Sequence, residues 1–144
     1  MTHLLDVNLL IALLWPRHEA HDKAQRWFAE NAHHGWATCP ITQAGFIRIV
    51  SNPAFSRHSL SPKAALGILV DSLEHRGHRF WIEDIGVPDA FASSSQRLVG
   101  HQQVTDAYLL GLAVHKKGKL ATFDASLPEL LPIGSPTRRA ISLV

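Results

Sequence analysis

Short apolar runs alternate with stretches of helical periodicity along the whole chain, and this alternation restricts the fold more than any other feature. His3 to Val7 reads as a short buried strand, Gly35 to Cys39 as a second, Arg79 to Glu83 as a third and Leu120 to Phe123 as a fourth. Ala140 to Val144 reads as a fifth, at the sheet edge. Between them, Asn8 is placed to cap a helix running from Leu9 to Trp15, which Pro16 stops. Glu19 to about Ala32 is amphipathic, with Ala20, Ala24, Trp27 and Phe28 on one face. Thr42 is placed to cap a helix from Gln43 to Ser51, and Ser61-Pro62 opens another that runs to about His75. Pro88 to Leu98 and the stretch from Thr105 into Lys116, Lys117 and Gly118 read as two more. Strands that alternate with helices predict an α/β domain of three layers, with a central parallel sheet of four to five strands flanked by helices.

The length of 144 residues fits one domain, residues 1–144, with a single core. A hydrophobic fraction of 46% excludes a disordered chain. The one cysteine, Cys39, allows no intrachain disulfide and fits a reducing, cytoplasmic setting. Asp6 interrupts the first apolar run, which excludes a signal peptide there, and no run approaches the roughly 20 residues that span a bilayer. The formal net charge of +2 permits a polyanionic partner without requiring one.

Three carboxylates stand out from this frame. Most of the acidic residues fall on amphipathic helices or in turns, where solvent accounts for them. Asp6 and Asp124 each end a predicted buried strand, and Asp106 opens a largely apolar helix. Sites in open parallel sheets form at the carboxyl ends of the strands, so all three acids are expected on one edge. Converging carboxylates repel, and a hard divalent cation relieves that repulsion. Mg²⁺ takes oxygen ligands and keeps several waters, a combination suited to phosphodiester hydrolysis. Each residue also has an ordinary role open to it, Asp106 as a helix-dipole partner and the other two as turn or cap residues.

Other chemistries find little support. His18 and His21, or the adjacent His33 and His34, lack a third ligand, and no His-Glu-x-x-His or paired-cysteine motif marks a zinc site. No Gly-x-Gly-x-x-Gly follows the first strand and no Gly-x-Ser-x-Gly elbow is present. A phosphoryl-accepting signalling domain would want adjacent acids at the first strand, which offers only Asp6.

The motifs as a set resemble the PIN domain. Leu-Leu-Asp-Val-Asn at 4 to 8 is similar to its opening. Ala-Thr-Cys-Pro-Ile-Thr-Gln-Ala-Gly-Phe-Ile-Arg at 37 to 48, with Ser-Asn-Pro at 51 to 53, is similar to its second motif. Thr-Asp-Ala-Tyr-Leu at 105 to 109 and Ala-Thr-Phe-Asp at 121 to 124 resemble its third and fourth. The nearest likeness is to VapC-type toxins of bacterial toxin–antitoxin pairs. The resemblance implies an endoribonuclease dependent on Mg²⁺ or Mn²⁺, an RNA substrate, a cognate antitoxin and a homodimer; the many apolar helix residues of this chain offer Trp15 and Trp27 as candidates for the dimer interface. It also implies that Asp6, Asp106 and Asp124 hold the metal.

One position departs from that pattern. The second motif usually carries an acid where this chain has Gln43, so the site is expected to hold about three negative charges and to bind metal more weakly. Thr42, Asn8 and Thr122 are candidates for supporting the carboxylates from behind. Arg48, Lys116 and Lys117, with Arg57, Arg97 and Lys119, are candidate RNA-phosphate contacts, the lysine cluster being equally a solvated helix end. The missing acid leaves an alternative open: a PIN-like module that binds RNA or protein without cutting.

Overall fold

The computed structural model describes residues 1–144. It contains five strands, β1 (His3–Leu5), β2 (Trp36–Thr38), β3 (His78–Phe80), β4 (Lys119–Thr122) and β5 (Ile141–Leu143). Six helices accompany them: α1 (Val7–Leu14), α2 (His21–Asn31), α3 (Pro40–Val50), α4 (Pro62–Leu73), α5 (Val87–Ala90) and α6 (Val104–His115). All pairings are parallel and the strand order is β3-β2-β1-β4-β5. The predicted α/β class, the five strands and the edge position of the last one all appear.

The strands are short, and alternate residues feed two separate cores. Leu4, Ala37 and Leu120 pack with Leu109, Leu112 and Leu130 on one face of the sheet. Leu5, Trp36 and Ala121 pack with Leu9, Phe46 and Leu69 on the other. Period-two alternation along a parallel strand therefore supplies both faces, and each buried leucine contributes about 1.5–3 kcal/mol. Helices α1 to α4 cover one face, and α5, α6 and the C-terminal turns cover the other. No helix is long and apolar enough to cross a membrane.

Several boundaries differ from expectation for identifiable reasons. β1 ends at Leu5 because Asp6, and not Asn8, caps α1: its Oδ1 accepts from Val7 N at 2.7 Å. Pro40 does not merely close β2. It occupies the first turn of α3, which therefore starts three residues before Gln43. Thr42 still takes part in the cap, but from the third helical position, its Oγ1 accepting from Cys39 N at 3.0 Å. Pro88 to Leu98 yields only the short α5 and a 3₁₀ turn at Ser95–Arg97, and between them Ser94 Oγ turns back to donate to Phe91 O at 3.5 Å. The Ser61-Pro62 helix start is as read, with Ser61 Oγ accepting from Ala64 N at 3.1 Å. Trp15 is only 7% exposed and packs edge-to-face on Phe55 at 5.5 Å, so it belongs to the core and is not available as an interface residue.

Candidate active site

The strand order reverses direction between β1 and β4, which is where a crevice opens in sheets of this type. β1 and β4 are in register, Leu5 opposite Ala121, and Asp6 N donates to Ala121 O at 2.9 Å. Asp6 and Asp124 thus leave neighbouring strands on the same edge. α6 precedes β4 and runs against it, so its first turn, carrying Asp106, lies at that edge as well. The three residues singled out from sequence converge here, and their charges act on one another.

Each carboxylate is held differently. Asp6 is buried, and its second oxygen, Oδ2, accepts from Thr122 Oγ1 at 2.7 Å. Burial raises its pKa, the bonds from Thr122 and Val7 oppose that rise, and the charge of Asp124 adds to it. Asp124 Oδ1 accepts from Ser126 N at 2.9 Å and Ser126 Oγ at 2.6 Å. Asp106 is half-buried, and its pKa is pushed up to about 7 by burial first and by Asp6 and Asp124 next, with no hydrogen bond to offset them. No three Asp, Glu, His or Cys side chains stand close enough to chelate an ion outright. What the three carboxylates share across this edge is charge, Asp6 and Asp124 both acting on Asp106.

Thr122 is the hub of this arrangement. Its hydroxyl donates to Asp6 while accepting from Asn8 Nδ2 at 3.2 Å and Asp124 N at 3.0 Å. Asn8 Oδ1 also accepts from Phe123 N at 3.3 Å, so Asn8 ties α1 to the end of β4. Thr42 behaves otherwise. It is fully buried, and its hydroxyl is spent on the Cys39 backbone, donating to the carbonyl at 3.1 Å. It shapes the start of α3 and offers nothing to a metal or its waters.

Gln43 is the fourth residue of α3, and α3 packs closely on the start of α1: a Cβ on Gly45 would meet Val7 Cγ2 at 2.9 Å, one residue from Asp6. Gln43 Nε2 donates to Thr38 Oγ1 at 2.9 Å, and that hydroxyl also bonds His78 Nε2 at 2.8 Å. Glu83 stands near the start of α3, but its Oε1 accepts from Ile41 N at 2.8 Å and its charge does not act on Asp106. Nothing replaces the missing acid. Thr38, His78 and Ser126 were not singled out from sequence. Ser126 was legible there, because a serine two residues after an aspartate is a common turn partner.

The basic candidates separate. Lys116 is ten residues beyond Asp106, about 15 Å down α6 and at the opposite edge of the sheet. It pairs with Asp84 at 2.8 Å, and Lys117 takes the left-handed turn that ends the helix, with φ 58°. Neither faces the acids. Arg48 is exposed on α3, about 7.5 Å along the helix from Gln43. A cation that sequence reading passed over, Lys23, sits at the acidic edge, donating to Val144 O at 3.0 Å and lying 5.5 Å from the Phe123 ring centre.

Comparison with known proteins bears on the family and the fold. The PIN domain family model matches residues 3–130. Ribonuclease VapC39 of Mycobacterium tuberculosis is 43% identical over 134 residues, 93% of this chain and 96% of that protein. Ribonuclease VapC38 of the same species is 43% identical over 124 residues, 86% of each chain. Ribonuclease VapC44 is 41% identical over 127 residues, 88% of this chain and 89% of its own. Among solved structures, the crystal structure of VapBC2 from Rickettsia felis bound to a promoter DNA fragment aligns with TM-score 0.68 over 100% of this chain and 98% of that one. At 12% identity, that last likeness speaks to the fold alone.

Proposed function

The chain belongs to the PIN-domain family, and from that premise we propose that it is a Mg²⁺- or Mn²⁺-dependent endoribonuclease, the VapC-type toxin of a type II toxin–antitoxin pair. On this reading residues 1–144 form one such domain, acting in the cytoplasm on RNA and held in check by a cognate antitoxin. The relatives named as ribonucleases support the activity. The observation that carries the metal reading is Asp106: a half-buried carboxylate with no hydrogen-bond donor, beside two further aspartates whose charges join burial in pushing its pKa up to about 7, is a group that a divalent cation would relieve.

Asp6, Asp106 and Asp124 would hold the ion. Bound there, it would supply a water acidified for attack and stabilise the charge that develops on the scissile phosphate. The chain's own residues prepare the site. Thr122 and Val7 N fix both oxygens of Asp6, Ser126 fixes Asp124, and Asn8 locks the helix that Asp6 caps to the strand that Asp124 follows. Asp106, free of hydrogen bonds, can turn its oxygens to a water or an ion. Lys23 at this edge and the exposed Arg48 of α3 are the cations we assign to RNA phosphates.

A second reading rests on Gln43: a site with one charge fewer would bind RNA without cutting it. Incubating labelled RNA with the protein in Mg²⁺ and in EDTA separates the two. Cleavage in Mg²⁺ alone, lost in Asp106→Asn, is the expected result. Binding without cleavage at any Mg²⁺ concentration would overturn the nuclease reading.

A further inference from the structure

Beyond the far end of α1, the α1–α2 turn and the α3–α4 loop frame an open depression of about 560 Å³. Its base is aromatic, formed by Trp15 and Phe55 edge-to-face at 5.5 Å. Its walls carry Arg17 and His18 from one loop and Arg57 and His58 from the other, against the single acid Glu19. Both ion pairs in the protein engage Asp84, so neither arginine is neutralised. His18 Nδ1 accepts from Ala20 N at 3.0 Å, which leaves Nε2 as its outward donor.

The loop that supplies Arg57 is built, not slack. Phe55 N donates to Asn52 O at 2.9 Å, His58 N to Ser56 Oγ at 3.0 Å and Leu60 N to Val50 O at 3.0 Å. α1 spans eight residues, so the depression stands about 12 Å from Asp6, within reach of a strand that extends from the acidic edge by a few nucleotides.

We propose that this depression is a phosphate subsite for the substrate RNA, in which Arg17 and Arg57 grip one or two phosphodiesters flanking the scissile bond above the Trp15–Phe55 floor. The proposal rests on the ribonuclease reading and adds a positioning surface to it. Two guanidinium groups from separate loops offer planar donor forks matched to phosphate oxygens. A protein partner finds a better surface elsewhere, in the apolar groove of about 680 Å³ lined by Leu13, Leu14, Phe28 and Trp36.

The test measures binding of a fluorescently labelled single-stranded RNA in EDTA, where no cleavage intrudes, at several salt concentrations. Wild type, Arg17→Gln/Arg57→Gln and the opposite-edge control Lys117→Gln are compared after thermal melts show that all three are folded. The double variant is expected to bind about tenfold more weakly, and the slope of log K against log salt is expected to fall by about 0.7 for each phosphate released. Lys117→Gln is expected to match wild type. An unchanged slope and affinity in the double variant would overturn the subsite while leaving the nuclease reading intact. Failure of wild type to bind RNA at all would instead remove the reading on which it rests.

Discussion

Thr122 Oγ1 donates to Asp6 Oδ2 at 2.7 Å, joining two residues 116 positions apart in a bond from which solvent is excluded. The same hydroxyl accepts from Asn8 and from the backbone of Asp124. One methyl-for-hydroxyl exchange therefore tests how the acidic edge is assembled. Thr122→Val is expected to destabilise the protein by about 2–3 kcal/mol, because it leaves a buried carboxylate oxygen unpaired. Thr122→Ser should restore most of this. Chemical denaturation of the three proteins gives the comparison, and a Val variant as stable as wild type would remove Thr122 from its central place.

Asp106 ties stability to pH. Its carboxyl ionises near 3.8 in an unfolded chain and near 7 in the folded one, because burial and then Asp6 and Asp124 disfavour the anion. The folded state holds that proton more tightly, so the stability linked to this group is complete below about 4 and is lost as the pH climbs through about 7. Asp106→Asn does not titrate. In EDTA its melting temperature should exceed that of wild type at pH 7.5 and approach it at pH 4.5. Its cleavage of RNA in Mg²⁺ should fall at least about 100-fold. A wild-type advantage in stability at pH 7.5 would show that the aspartate charges do not repel as described.

Gln43→Glu adds the charge that the second motif lacks. The gain against a divalent ion is offset by desolvation and by repulsion from three aspartates, and the new carboxylate gives up the bond from Nε2 to Thr38. A net effect of about 1 kcal/mol, several-fold in Mg²⁺ affinity, is expected. Calorimetric titration decides it, and equal or weaker binding would place position 43 away from the ion.

α6 carries Asp106 and lies so close to α5 that a Cβ on Gly111 would overlap Ala90 O. That neighbour is backbone and cannot swing aside. Gly111→Ala should therefore cost at least about 3 kcal/mol, at the upper end of core overpacking, and lower nuclease activity with it. Gly67→Ala, where a Cβ meets nothing, is the matching control and should be neutral or slightly stabilising. Equal stability of the two variants would contradict the α5–α6 packing.

The homodimer expected from the family remains a prediction. With Trp15 buried, a more suitable surface is α4, where Leu66 and Val70 lie one turn apart and are 48% and 47% exposed. Sedimentation at micromolar concentration should give twice the mass of one chain, and Leu66→Glu should shift it toward monomer. A monomeric wild type would end the idea.

Much of the fold was legible in the sequence because its signals are local. The order of short apolar runs and helices sets a parallel sheet, and the place of Asp6, Asp106 and Asp124 at element ends puts them on one edge once the strands are parallel. The Ser61-Pro62 start needed only its neighbours to be read. What the sequence could not decide are the choices made between distant partners. Asp6 displaced Asn8 as the cap of α1 because Asn8 was drawn to Thr122 and Phe123, more than 110 residues away. Lys116 and Lys117 look like RNA contacts in a string of letters, yet the antiparallel run of α6 against β4 carries them to the far edge. Trp15 reads as a helix-end aromatic free to meet a partner until the α3–α4 loop brings Phe55 over it. Periodicity reports which face of an element is apolar; only the packing of both sheet faces fixes which elements become neighbours, and with them the hydrogen bonds and charges that make the acidic edge a site.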